Sequence, residues 1–213
     1  MAITLLILYY GILLICFVVS LLRYKFYDNA LKIVSALMII TFLNELISLV
    51  VSYVFKTKSF IFHFYNIIEL TLYIYYFINF IYEKPKKWSL PIAFLISAVL
   101  GIGNLVFYQP LHKLNTNMLM IECTICIFMS LYALFVLFKS DKILNIYDSH
   151  LLIWSSILIL MTGTFFFWAG FETLVQQHPT YKMPLYEIQS YINITAYAGI
   201  CAGLLLSPKK VNE

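Results

Sequence analysis

Charge is what this sequence has least of. It holds 14 Lys and Arg and 10 Asp and Glu in 213 residues, a charged share of 11%. A water-facing domain carries about 25% charged residues, so an ordinary soluble surface is excluded. A disordered chain is excluded as well, because disorder needs high charge and few aromatics, whereas here 62% of residues are hydrophobic and 18% aromatic. A net charge of +4 with no basic cluster offers nucleic acid no footprint. Cysteine is also sparse, and Cys16, Cys123, Cys126 and Cys201 all fall inside apolar runs. That placement excludes an extracellular disulfide framework. Cys123-x-x-Cys126 has redox or metal spacing, but at lipid depth it reads as small packing residues. No phosphate-binding glycine loop, nucleophile elbow or His-Glu-x-x-His motif occurs. The ten-residue alternation of a membrane barrel is missing too.

What is present is apolar length. A spanning helix needs roughly 20 mostly apolar residues. Seven such runs can be read: 2–22, 33–55, 60–81, 88–108, 118–138, 151–171 and 184–206. The fold class expected is therefore all-α, a polytopic bundle of seven transmembrane helices forming one domain over 1–213. The longest connection is expected from Glu172 to Met183, and none is long enough for a soluble domain.

Orientation follows from Lys and Arg, which stay on the cytoplasmic side. With the N-terminus outside, Arg23, Lys25, Lys32, Lys84, Lys86, Lys87, Lys139, Lys142, Lys209 and Lys210 fall inside, against Lys56, Lys58, Lys113 and Lys182 outside. The expectation is N-out, C-in, in the cytoplasmic membrane of a cell. Nothing charged precedes Ala2, while Arg23 and Lys25 follow the first run. That order suits an uncleaved anchor rather than a cleavable signal. Trp88 and Trp168 fall near the two interfaces, where aromatic belts form. The sequon Asn193-Ile194-Thr195 lies inside a helix and is not read as a glycan site.

Ionisable residues at membrane depth are costly, so each is a functional-site hypothesis. Five stand out: Glu45, His63, Glu69, Glu122 and Glu187. On the N-out reading they gather in the outer half with Asn66, Asn104, Asn115, Asn117, Thr162, Thr164 and Asn193, while the inner half is nearly all apolar. The pattern describes a polar funnel opening outward. Spacing supports convergence: His63, Asn66 and Glu69 recur every three residues, Tyr73 and Tyr76 extend that stripe, and Thr41, Glu45, Ser48 and Ser52 share a face. Asn115, Glu122 and Cys126 fall on one side of the fifth run. Single Asn, Ser and Thr residues at such seams often serve only as interhelical hydrogen-bond partners, worth about 0.6 kcal/mol each. No Lys or Arg lies within a run, so the buried carboxylates need protons, a metal or a cationic ligand as countercharge. A metal ion, the one cofactor considered, would use His63 and Glu69 as ligands, although their spacing matches no established zinc motif. Gly199-x-x-x-Gly203 permits close backbone approach and reads as helix packing, with dimerisation as the other use.

The segment Phe62-His63-Phe64-Tyr65-Asn66-Ile67-Ile68-Glu69, with Asn44-Glu45 before it, resembles segments of uncharacterised bacterial seven-helix integral membrane proteins. Some modules of that sort are fused to signalling output domains, so the resemblance implies a sensing role. Only seven residues follow Leu206 here, so such a role would use a separate signalling or membrane partner protein.

These readings give a leading expectation, with alternatives beside it. The leading one is a non-enzymatic binding or sensing module for a small ligand, cation or proton. Glu45 and Glu69 form its floor, His63 and Asn66 its wall, and Glu122 and Glu187 its mouth, with Asn44 a further ligand-binding candidate. The second is a metal-assisted intramembrane enzyme acting on a lipid or lipid-linked substrate, with Glu69 or Glu122 as base. The third is a structural subunit of a membrane complex.

Overall fold

The computed structural model describes residues 2–55, 59–82, 87–111, 115–139 and 148–207. They form seven helices: α1 (Ala2–Arg23), α2 (Asn29–Phe55), α3 (Ser59–Ile81), α4 (Ser89–Phe107), α5 (Thr116–Lys139), α6 (Ser149–Gln177) and α7 (Lys182–Leu206). All seven are long and apolar enough to cross a membrane. Single 3₁₀ turns follow α1 (Tyr24–Phe26) and precede α7 (Pro179–Tyr181), and no strand occurs among the described residues. Eight of the lysines behind the orientation reading, Lys56, Lys58, Lys84, Lys86, Lys113, Lys142, Lys209 and Lys210, lie outside the described residues.

Two helix limits differ from the apolar runs, for local reasons. α2 begins at Asn29, ahead of the run, because Asp28 accepts a hydrogen bond from the Leu31 amide at 2.7 Å and caps the first turn. α6 continues through Gln177 and α7 starts at Lys182, so most of the connection expected from Glu172 to Met183 is helical. The residue preceding a proline avoids the helical region, and α6 stops one residue short of His178, ahead of Pro179. Pro91 and Pro184 each fall in a helix's first turn, where a missing N–H leaves no bond unmade.

Helices α1, α2, α3, α5, α6 and α7 pack in that order into a closed ring, α7 returning to α1. α4 packs mainly on α3, outside the ring. It does so through one stripe, Ser89, Ala93, Ser97, Gly101 and Asn104, whose small side chains let the backbones approach. Its other faces carry exposed Leu95, Val99, Val106 and Phe107, the surface of a helix in lipid. Half of the α3 span is buried inside the bundle, against 22% for α1 and α4, so α3 is the most buried of the seven spans.

The α6–α7 pair is closest where glycine permits it. A methyl group on Gly203 would lie 2.7 Å from the Ile153 side chain and 3.0 Å from the Ser149 carbonyl oxygen. On the other helix, Gly163 faces Ile192 in the same way. The Gly199–Gly203 stripe therefore serves packing of α7 on α6. The ring closes where the Arg23 guanidinium, at the end of α1, donates to the carbonyls of Leu204, Leu205 and Ser207 at the end of α7. A cation there meets the negative end of the helix dipole. Tyr27 donates to the Leu204 carbonyl at 3.2 Å. Burial pushes its phenol up to about 12, with the nearby Arg23 pulling the other way.

Candidate functional site

The end of the bundle where α1 begins is called here the N-terminal face, and the end where α7 finishes the C-terminal face. Glu45 on α2 and Glu69 on α3 each lie ten residues from the N-terminal-face end of their helices. At 1.5 Å per residue that is about 15 Å, half of a hydrocarbon core about 30 Å thick. The two carboxylates share one depth, and they lie within electrostatic reach of each other.

Tyrosines meet both. Tyr9 and Tyr10 of α1 donate to the two oxygens of Glu45, at 3.2 and 3.4 Å. Tyr65 and Tyr73, one turn before and one turn after Glu69 on α3, both hydrogen-bond to its carboxylate. Residues four apart on a helix share a face, so the α3 sequence alone builds this clamp. Tyr65 also lies 2.8 Å from the Thr41 hydroxyl on α2. A hydroxyl has one proton to give. Thr41 has the Leu37 carbonyl 2.9 Å away as a second acceptor, so its one proton is shared between that carbonyl and Tyr65, and the hydroxyl pair ties α2 to the Glu69 clamp.

Glu122 on α5 is different. It is 0% exposed, and among the described residues neither carboxylate oxygen has a hydrogen-bond partner. Its charge acts on Tyr73, on Tyr197 of α7 and on its neighbours Cys123 and Cys126, and the Glu69 charge acts on it in turn. Tyr197 lies within reach of Glu45, Glu69 and Glu122 alike, with its ring 6.1 Å from that of Tyr9. Five helices thus converge on one cluster of three carboxylates and tyrosine hydroxyls. All four cysteines are buried and free, and the Cys16 thiol donates to the Tyr197 carbonyl at 3.3 Å.

The remaining sequence candidates take several places. Asn44 is buried beside Glu45, and His63 and Asn66 are buried on α3 between Glu69 and the N-terminal face. Glu187 is half-buried near the start of α7 and is not among the charges acting on Glu69 or Glu122. Other polar residues tie helices together: Asn104 donates to Asn115 at 2.6 Å between α4 and the start of α5, and Gln189 of α7 donates to Thr164 of α6 at 3.0 Å. Among the described residues no group of three His, Cys, Asp or Glu side chains is placed to hold a metal ion, so the His63 and Glu69 pair gains no third ligand of that kind there.

A second polar constellation lies toward the C-terminal face, and the sequence reading missed it. His150, in the first turn of α6, places Nε2 3.4 Å from Asp28 Oδ2 and Nδ1 3.1 Å from the Tyr76 hydroxyl. Tyr76 is fully buried and stacks on Trp154 with ring centroids 4.5 Å apart. Asp148 caps α6 through the amides of His150 and Leu151, at 2.9 and 3.0 Å. Asp28 and His150 look like ordinary helix-end residues in sequence. Tyr76 alone gave a signal, as the inward end of the His63–Asn66–Glu69 stripe. No family model, no curated protein and no solved structure matches the chain.

Proposed function

We propose that the chain is a membrane-embedded binding and sensing module that takes up a proton or small organic cation at the Glu45–Glu69–Glu122 cluster. The observation that carries this reading is Glu122, a fully buried carboxylate with no hydrogen-bond partner among the described residues and a second carboxylate within reach. An unpaired ionised carboxylate in a low-dielectric interior costs several kcal/mol. A proton or a bound cation removes that cost, and no Lys or Arg of the sequence falls inside an apolar run to do so instead. The tyrosine hydroxyls suit the same role. Tyr9, Tyr10, Tyr65 and Tyr73 hold Glu45 and Glu69 in place, and their ring faces favour an organic cation. Buried Asn66 and His63 lie on α3 between Glu69 and the N-terminal face, which is the outer side on the positive-inside reading.

Infrared difference spectroscopy of the protein in lipid nanodiscs tests this, with acid, methylammonium and potassium as probes. The C=O band of a protonated carboxyl should respond to acid and to methylammonium. Glu69→Gln and Glu45→Gln should each abolish or strongly reduce the response. An unchanged response in both variants would sink the proposal.

A further inference from the structure

The proton-carrying groups do not stop at the carboxylates. On α3, Glu69, Tyr73 and Tyr76 follow at spacings of four and three, one stripe running toward the C-terminal face. Glu69 is hydrogen-bonded to Tyr73 at one end of it. At the other end Tyr76 lies 3.1 Å from His150 Nδ1, and His150 Nε2 lies 3.4 Å from Asp28 Oδ2. Exposure rises along this line, from 0% at Tyr76 to side-chain values of 21% at His150 and 41% at Asp28. The Trp154 stack holds the Tyr76 ring in place, and Asp148 fixes the first turn of α6, from which His150 projects. A hydroxyl and a neutral imidazole can each accept a proton on one atom while releasing one elsewhere. Every member of the line except the terminal carboxylates is of that kind.

We infer that this stripe is a proton route, carrying protons taken up at Glu69 to the C-terminal face through Tyr73, Tyr76, His150 and Asp28. The inference rests on the uptake proposed above and narrows the cation to a proton. Glu69 gives its proton to the Tyr73 oxygen as Tyr73 releases its own. The route requires one water molecule between Tyr73 and Tyr76, a turn apart on α3, to carry the proton across. Tyr76 accepts it and passes its hydroxyl proton to His150 Nδ1. The imidazolium then releases its Nε2 proton to Asp28 and so to solvent. Rotation of the partly exposed imidazole turns Nδ1–H to solvent, where water takes that proton and returns one to Nε2, which restores the starting tautomer. Only O–H and N–H bonds are made and broken, and no electron acceptor is needed.

The experiment uses the full chain in liposomes loaded with a pH-sensitive dye, with a potassium diffusion potential driving proton entry. Wild-type vesicles should acidify faster than protein-free ones. Tyr76→Phe, which keeps the ring and its stack, and His150→Gln should each slow entry by about a hundredfold, the scale of a positioned proton-transfer group. Both variants should keep the carboxyl infrared response to acid, whereas Glu69→Gln should lose response and entry together. Two results overturn the route and leave uptake standing: variants as fast as wild type, or wild-type vesicles no faster than empty ones with the infrared response intact. Wild-type protein without that response overturns uptake and the route together.

Discussion

The two polar regions of the bundle solve the same problem in opposite ways. Toward the C-terminal face, the acid Asp28 meets the base His150, His150 meets the Tyr76 hydroxyl, and Tyr76 lies flat on Trp154. Acid and base complement one another there, and what is left without a hydrogen-bond partner among the described residues is neutral, the Trp154 indole N–H and the Ser149 hydroxyl. In the carboxylate cluster three acids converge with no Lys or Arg from any apolar run, and the deepest-buried, Glu122, has no hydrogen-bond partner among the described residues. The difference teaches which end has its charges met within the protein and which leaves them to be met from outside. Function is expected where complementarity is left unfinished, because polar groups that are fully satisfied have nothing left to offer a ligand.

The contrast can be broken from either side. The largest effect belongs to the charge-matched end, where Trp154→Ala removes a fully buried ring touching Tyr76, Phe77 and Phe80. It should cost about 3–5 kcal/mol, read as lost stability in detergent unfolding. Glu122→Leu should go the other way and stabilise by about 1–3 kcal/mol, the scale of an unsatisfied buried polar group, while weakening acid and methylammonium responses. A destabilised Glu122→Leu would mean that the carboxylate is already satisfied, and the contrast would collapse. Gly203→Val should cost about 1–3 kcal/mol by forcing α7 off Ile153 and the Ser149 carbonyl, measurable as a lowered melting temperature.

The smallest effect concerns Tyr27. Its folded-state phenol sits at about 12, above its ordinary value, because burial disfavours the phenolate. The stability this group contributes is therefore full below about pH 10, its ordinary pKa, and is lost as pH rises through the folded value of about 12. An alkaline unfolding titration should show that loss in wild type and a shallower one in Tyr27→Phe.

Much of the architecture was legible from apolar length, because a bilayer of fixed thickness demands spans of fixed length whatever their detail. The ends of α2 and α6 were not, because a helix stops where its caps are, at Asp28 and before Pro179, and not where its apolar run stops. The carboxylates at 45, 69 and 122 stood out because a charge at lipid depth is expensive wherever it lies. Their tyrosine partners did not stand out among 17 tyrosines, since which of them reach a carboxylate depends on how the helices pack. Tyr65 and Tyr73 were the exceptions in principle, four residues either side of Glu69 on its own helix. The Asp28–His150 pair was invisible for a related reason. Each residue has a sufficient local explanation as a helix-end group, and only the ring of helices brings them together.

The ring closure at Arg23 also sets an order of assembly. Glu45 can meet Tyr9 and Tyr10 as soon as α1 and α2 form a hairpin. Tyr197 and the carbonyls of Leu204, Leu205 and Ser207 belong to α7, which emerges after the other six helices. Until then the α1 face that will meet α7 must be shielded by lipid or by another protein. The cluster is therefore completed only once α7 has emerged, and a chain made as far as α6 holds its carboxylates without the wall that completes their site.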